Sequence, residues 1–394
     1  MNWIINGEIR TMENHEVYHG GYLGFDQGKI TYVGLPCEIG PEDQVMDASG
    51  CIVMPGIIDP HCHIGITEEK IGMEGDDCNE ATNPITPYLR AIDGINPMDP
   101  AFHHAIQAGI TSVMVGPGSA NVVGGQFAFM KTQGRCLDDM IVLAPAAMKV
   151  SFGENPKNQY GSDGQMPATR MAIAGMLREE LYKAVQYQKR KQESIQEMGK
   201  SDFVPDFRME CWIPVLERRI PLKAHAHRAD DILTAIRIAR EYHLDMTLDH
   251  CTEGHLIADH IMESGFPAIC GPHLSNRNKI EICNSDFKTP GILAAKGILV
   301  GLMTDHPVSL IQFLPLCAAY AVKKGMNPED ALSAITINPA RICGVADRVG
   351  SLKVGKDADI VVFTGDPLRV ESTVRETIID GKLIYDSTQK SKHA

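Results

Sequence analysis

The amino-acid sequence predicts an α/β fold: a (β/α)8 TIM-like barrel with a small β-sandwich domain formed by both chain ends. Three observations carry this. The 394 residues exceed the about 250 that one such barrel takes, which leaves roughly 100–150 for a second unit. Between Pro55 and Gly350, short apolar runs alternate with helix-patterned stretches. Outside that span both ends read as short strands without a helical period.

The N-terminal strands are WIINGEI and GYLGFDQGKITYVG, with Asp26-Gln27-Gly28 as turn chemistry between alternating segments. The middle runs are CIVMPGIID, ITSVMVG, IVLAPAAMKV, IPLKAHA, DMTLDH, PAICG and GILVGLM. Helices fall between them. Ala229–His243 repeats Ile232, Leu233, Ile236 and Ala239 at helical spacing, and Ala168–Met198 puts Met171, Leu177, Leu181 and Val185 on one face. Fully apolar strands separated by helices indicate a parallel sheet covered on both faces. About eight such units close a barrel, with a doubly wound sheet as the alternative. The C-terminal SLKVGKDADIVVFTG and TIIDGKLIYD are again strands, turned at Asp380-Gly381. Residues 1–54 and 350–394 are therefore expected to form the β domain, and 55–349 the barrel.

Composition narrows the function. Apolar residues at 44% and charged residues at 22% are ordinary globular usage and exclude a disordered, collagenous or coiled-coil chain. Lys plus Arg is 37 against 50 for Asp plus Glu, a net charge of −13. This argues against nucleic acid as a partner, because phosphate neutralisation needs clustered cations. The longest nearly apolar stretch, Pro307 to Val322, is broken by Gln312 and Pro315 and is too short for a bilayer. The first residues lack a secretory pattern. Eleven cysteines without a CxxC pair read as reduced thiols, so a cytoplasmic homo-oligomer acting on a small molecule is expected.

The chemistry lies at the predicted strand ends. Met54-Pro55-Gly56-Ile57-Ile58-Asp59-Pro60-His61-Cys62-His63 ends the first core strand. Residues i and i+2 of a strand point the same way, so His61 and His63 present two imidazoles to one ion. KAHAH brings His225 and His227, TLDH brings His250, and GLMTDHP brings Asp305. Four separate segments thus place His or Asp where a barrel strand ends, the catalytic face of this architecture. His306 follows Asp305 with its direction unset. Gly116-Pro117-Gly118-Ser119 lacks the third glycine of a dinucleotide fingerprint, and P-loop, HExxH and GxSxG patterns are absent. Gly124-Gly125-Gln126 reads as a flexible substrate loop.

Together, PGxIDxHxH, the later HAH, LDH and TDxP, and a C-terminal GxLxxGxDADIVV resemble the metal-dependent amidohydrolase superfamily. Gly153-Glu154-Asn155-Pro156 is similar to the GENP segment of its imidazolonepropionase-related branch. The resemblance spans essentially the whole chain. It implies that His61, His63, His225, His250 and Asp305 bind one or two divalent metals, with His227 nearer the substrate. Such ligands suit Zn²⁺, with Fe, Mn, Ni or Co possible in the same geometry. Related two-metal sites are bridged by a carboxylated Lys or a Glu, for which Lys149 and Glu154 are candidates. On a regular strand their odd separation puts them on opposite faces, and Glu154, which needs no modification, is preferred.

The implied mechanism is attack of a metal-activated water on a carbonyl, with Asp305 as acid–base group and His273 and His227 stabilising the oxyanion. Hydrolysis of an amide or peptide-like C–N bond is the favoured function: an N-acyl amino acid, dipeptide or cyclic amide. Deamination of a heterocycle is the alternative. The resembling deaminases and imidazolone hydrolases carry Glu three residues after the fifth-strand His, where this chain has Arg228, although Glu253 follows His250 at that spacing. A non-catalytic assembly protein is a minor third reading, since it predicts eroded ligands. Arg228 and Arg277, with Lys157 and Arg170 nearby, are candidates to bind a substrate carboxylate. Equally, Arg228 could pair with Asp230 or Asp231.

Overall fold

A computed structural model describes residues 1–69, 71–196 and 203–389. Both chain ends build one eight-stranded sheet. Its N-terminal strands are β1 (Asn2–Arg10), β2 (Val17–Asp26), β3 (Lys29–Gly34), β4 (Gln44–Asp47) and β5 (Ile52–Pro55). The barrel strands are β6 (Ile57–Cys62), β7 (Ile110–Val115), β8 (Val123–Lys131), β9 (Ile141–Ser151), β10 (Leu222–Ala226), β11 (Met246–His250), β12 (Ala268–Cys270) and β13 (Val300–Leu302). The chain then returns to the first sheet with β14 (Ile360–Phe363), β15 (Val374–Ile379) and β16 (Lys382–Asp386).

In the β domain, β1 pairs with β2 on one side and with β4 and β5 on the other. Strand β14 zips antiparallel onto β5, with Ile360 opposite Pro55. The C-terminal strands are thereby held against the residues that lead into the barrel. Ile4, Ile9, Leu23, Ile30, Val53, Ile360 and Val362 pack as a separate core.

The barrel order runs β6 to β13 without a break. Backbone bonds close the ring beyond the last rungs: His63 N–H donates to His306 O at 2.8 Å, and Asp305 N–H to His61 O at 3.2 Å. Strands β6, β7, β10 and β11 are buried at every residue, as expected when helices cover the outside and side chains fill the inside. The helix Ala229–Glu241 buries Ile232, Ile236 and Ala239. The long helix spans Arg170–Gln196 and buries Leu177 and Leu181. Its Met171 instead faces out at 81% exposure, and residues 197–198 of the expected span lie outside the described residues.

One sector departs from eight parallel β/α units. Strand β8 runs antiparallel to both β7 and β9. It contains Gly124-Gly125-Gln126, which are buried strand residues and not a flexible loop. Gly125 (φ 129°) would place a Cβ 2.4 Å from the Leu89 carbonyl oxygen, and the next residue, Gln126, donates its N–H to that oxygen at 2.8 Å. Backbone packs directly on backbone there, so the glycine pattern of a loop occurs within a strand.

Lys131, at the far end of β8, joins barrel to β domain. Its ammonium lies 2.5 Å from Asp359, 3.2 Å from Asp357 and 3.3 Å from Asp380. Lys131→Met leaves the buried Asp359 unpaired and should cost about 3–5 kcal/mol. A thermal midpoint equal to wild type would show that this link does not hold the two units together.

Candidate metal centre

The first cluster forms where β6 ends. The β6–β7 register shifts between Asp59 and Cys62, which spans Pro60, a residue with no N–H to donate to a ladder. Asp59 takes up the backbone groups near the break: it accepts the His61 N–H at 3.1 Å and the Thr304 N–H at 3.1 Å. Ligand atoms of His61, His63 and Asp305 come within 4.8 Å of one another, all three residues buried. His63 donates Nδ1–H to the Gly116 carbonyl at 2.7 Å, which leaves Nε2 facing Asp305 Oδ1 at 3.1 Å. Burial lowers the His63 imidazole, but Cys78 and Asp305 outweigh it and lift it to about 10. An ion would displace the proton that His63 and Asp305 share.

The second cluster is His225, His227 and His250, again within 4.8 Å and buried. Ring centroids are 4.2 Å apart for His225 and His250, and 4.3 Å for His227 and His250. His250 donates Nδ1–H to Gly271 O at 2.9 Å, while its buried Nε2 has no partner. Burial pushes His225 and His250 down and His227 to about 3, so all three are neutral and can offer lone pairs. Three neutral imidazoles that converge this closely, with His250 Nε2 left unpartnered, fit a divalent cation.

Lys149, on β9, lies between the clusters. It is fully buried and donates to His61 Nε2 at 3.2 Å, and burial pushes its ammonium down to about 8. Glu154 is not brought to the metal ligands. Strand β9 ends at Ser151, Gly153 turns the chain at φ 86°, and Glu154 opens a helix. Its carboxylate accepts the Glu281 N–H at 3.2 Å and faces Asn158. The regular strand assumed through both residues stops short of the second.

Other expected residues stand elsewhere. His273 packs against Phe287 in a tilted ring pair, centroids 4.9 Å apart, and is absent from the cavity wall. His306 accepts the Ile311 N–H through Nδ1 at 3.2 Å. Arg228 forks onto Asp230 at 2.9 and 3.1 Å, the helix-end pairing. Arg277 donates to the Ser285 carbonyl, and Arg170 is held by Asp231. Neither Arg228 nor Arg277 lines the cavity of about 690 Å³ at the strand ends. Lys279 does, with Cys78, Ser119 and Asn155.

Asp249 carried no expectation, yet it sits beneath everything else. It accepts His61 Nδ1–H at 2.6 Å, Thr247 Oγ1–H at 2.6 Å and the Lys223 ammonium at 3.0 Å. A carboxylate behind a metal-binding imidazole fixes its tautomer and raises its basicity. Asp249→Asn should therefore weaken metal affinity about 10–100-fold in chelator competition. Unchanged affinity would reduce Asp249 to a counterion for Lys223.

Comparison with known proteins places the chain in a family. The Amidohydrolase family profile matches residues 179–384. An amidohydrolase structure from Thermotoga maritima MSB8 is 41% identical, with a TM-score of 0.94 over 98% of this chain and 100% of that one. The imidazolonepropionase of Symbiobacterium thermophilum is 26% identical over 90% of this chain and 86% of its own. Amidohydrolase tasK of Hapsidospora irregularis is 30% identical over 92% of this chain, which spans only 39% of that protein. With a family profile over more than half of its residues and a 41% identical relative matched along its whole length, the chain belongs to the amidohydrolase family, whose members are metal-dependent hydrolases of C–N bonds.

Proposed function

We propose that this enzyme hydrolyses an amide or peptide-like C–N bond in a substrate that carries a carboxylate, such as an N-acyl amino acid, a dipeptide or a cyclic amide. The observation that carries this reading is the buried Lys149 amine, 3.2 Å from His61 Nε2 and between two three-ligand clusters. Its amine would attack CO₂, form an N–C bond and release a proton, giving a carboxylate able to bridge two ions in the place first given to Glu154. His61, His63 and Asp305 would hold one ion, and His225, His227 and His250 the other. When bound, divalent metal, with Zn²⁺ the proposed ion, supplies Lewis acidity toward the carbonyl and lowers the pKa of water.

The chain's own groups then handle protons and orientation. Burial alone would raise the Asp305 carboxyl, but His63 and Lys149 outweigh it and hold it below the usual carboxylate range. It is thus ionised and ready to accept a proton from the attacking water, then to return it to the leaving amine. Against deamination, Arg228 turns out to Asp230. Glu253 is engaged by the Ala229 N–H and Asn284, each at 2.8 Å. Among the described residues lining the cavity, Lys279 is the one Lys or Arg, and its ammonium is oriented by Asn155 Oδ1 at 2.6 Å. It takes over the role expected of Arg228 and Arg277. All eleven cysteines are unpaired, which supports a reducing, cytoplasmic location.

Two measurements test this. Asp305→Asn should lower turnover on N-acyl amino acids or dipeptides by about 10²–10⁴ with the fold intact; near wild-type turnover rejects it as the acid–base group. Amidating the substrate carboxylate should remove most of kcat/KM in wild type, and Lys279→Met should abolish that preference. Equal rates on acid and amide forms would show that the pocket reads another feature, and ammonia released from amidine rings instead would favour the deaminase.

A further inference from the structure

Glu281 lies in the segment after β12, on a single turn, Ile280–Ile282, and its side chain is 1% exposed. Its Oε2 accepts the Glu154 N–H at 2.8 Å. That contact accounts for one oxygen only. Oε1 is buried without a hydrogen-bond partner, and it lies 3.8 Å from His225 Nε2 and 3.8 Å from His227 Nε2. These separations exceed the roughly 2.7–3.2 Å of an N–H···O bond. They lie near the about 3.3 Å between donor atoms that share a tetrahedral ion with bonds of roughly 2.0–2.1 Å. His225 Nε2 already faces a donor, Asn155 Nδ2 at 3.4 Å, so it presents a lone pair. A buried carboxylate oxygen turned toward imidazole lone pairs is unfavourable unless a cation lies between them.

We propose that Glu281 is a carboxylate ligand of the second metal ion, joining His225, His227 and His250. This rests on the two-ion reading above. The second ion would then have four ligands from unmodified side chains, enough to hold it even without the Lys149 bridge. Through Oε2 the same carboxylate also ties the helix Glu154–Gly161 to this ion, so one metal fastens the β10 end, the β11 end and the segment that carries Lys279.

The test is Co²⁺ binding to the whole chain, read by visible absorption and by elemental analysis. Glu281→Gln keeps an acceptor for the Glu154 N–H and removes the anionic donor. It should retain one Co²⁺ and bind the second ~10²-fold more weakly, at least the loss seen when a supporting group is removed. Lys149→Met should still bind one Co²⁺, and Lys149→Met with Glu281→Gln should bind almost none. Two ions of wild-type affinity in Glu281→Gln overturn the proposal while leaving the two-ion reading intact. Less than about 0.2 ion in metal-supplemented wild type overturns that reading itself. If the Gln variant does not fold, Glu281→Asp replaces it. A ligand role requires weaker second-ion binding at an unchanged metal-free melting temperature, and equal affinity refutes it.

Discussion

The structure turns on one buried carboxylate. Asp249 is fully buried and binds Lys223 from β10 and His61 from β6 at once. Lys223 in turn donates to the Pro60 carbonyl at 3.0 Å. A lysine inside a barrel is costly unless its charge is met, and here the group that meets it also orients a metal-binding ring. The ammonium of Lys149 lies one residue away, on His61. The barrel interior is therefore a hydrogen-bonded chain, lysine to aspartate to neutral histidine to lysine, and the metal-binding face is its upper end. Phe127 closes the side, with both ammonium groups within 5.6 Å of its ring centre.

Above this chain, the backbone departs from strand geometry to complete the ligand sets. Regular alternation would send Asp249 and His250 to opposite faces, yet both reach His61. His250 has φ 72° and Asp305 φ 54°, a region costly for residues other than glycine. Each is held in place by a bond to the neighbouring strand end: His250 to Gly271 O, and the Asp305 N–H to His61 O.

This explains what the sequence could and could not disclose. Strand ends were legible because apolar runs stop at them, and paired histidines at i and i+2 need only strand geometry. The composite β domain was legible because both ends carry strand alternation and turn residues. The antiparallel β8 was hidden, since its Gly-Gly pair is what a loop also contains, and the approach of Leu89 that demands glycine is a tertiary fact. Glu154 is attractive in the sequence because it needs no modification, and the turn at Gly153 that takes it away from the ligands depends on local φ. Arg228 and Arg277 were attractive as cations near strand ends, but each found a closer partner on its own segment. Lys279 and Glu281 had no signal in KIEIC; only the path of that segment over the cavity brings them to it.

The antiparallel strand also has a bearing on how the ring is assembled. Strands β7, β8 and β9 are joined through residues 116–122 and 132–140, whereas β9 reaches β10 only after residues 152–221. Entropy lost on closing a loop grows with its length, and contacts near in sequence form fastest. The wall that carries Lys149 is therefore the segment of the barrel with the lowest closure cost.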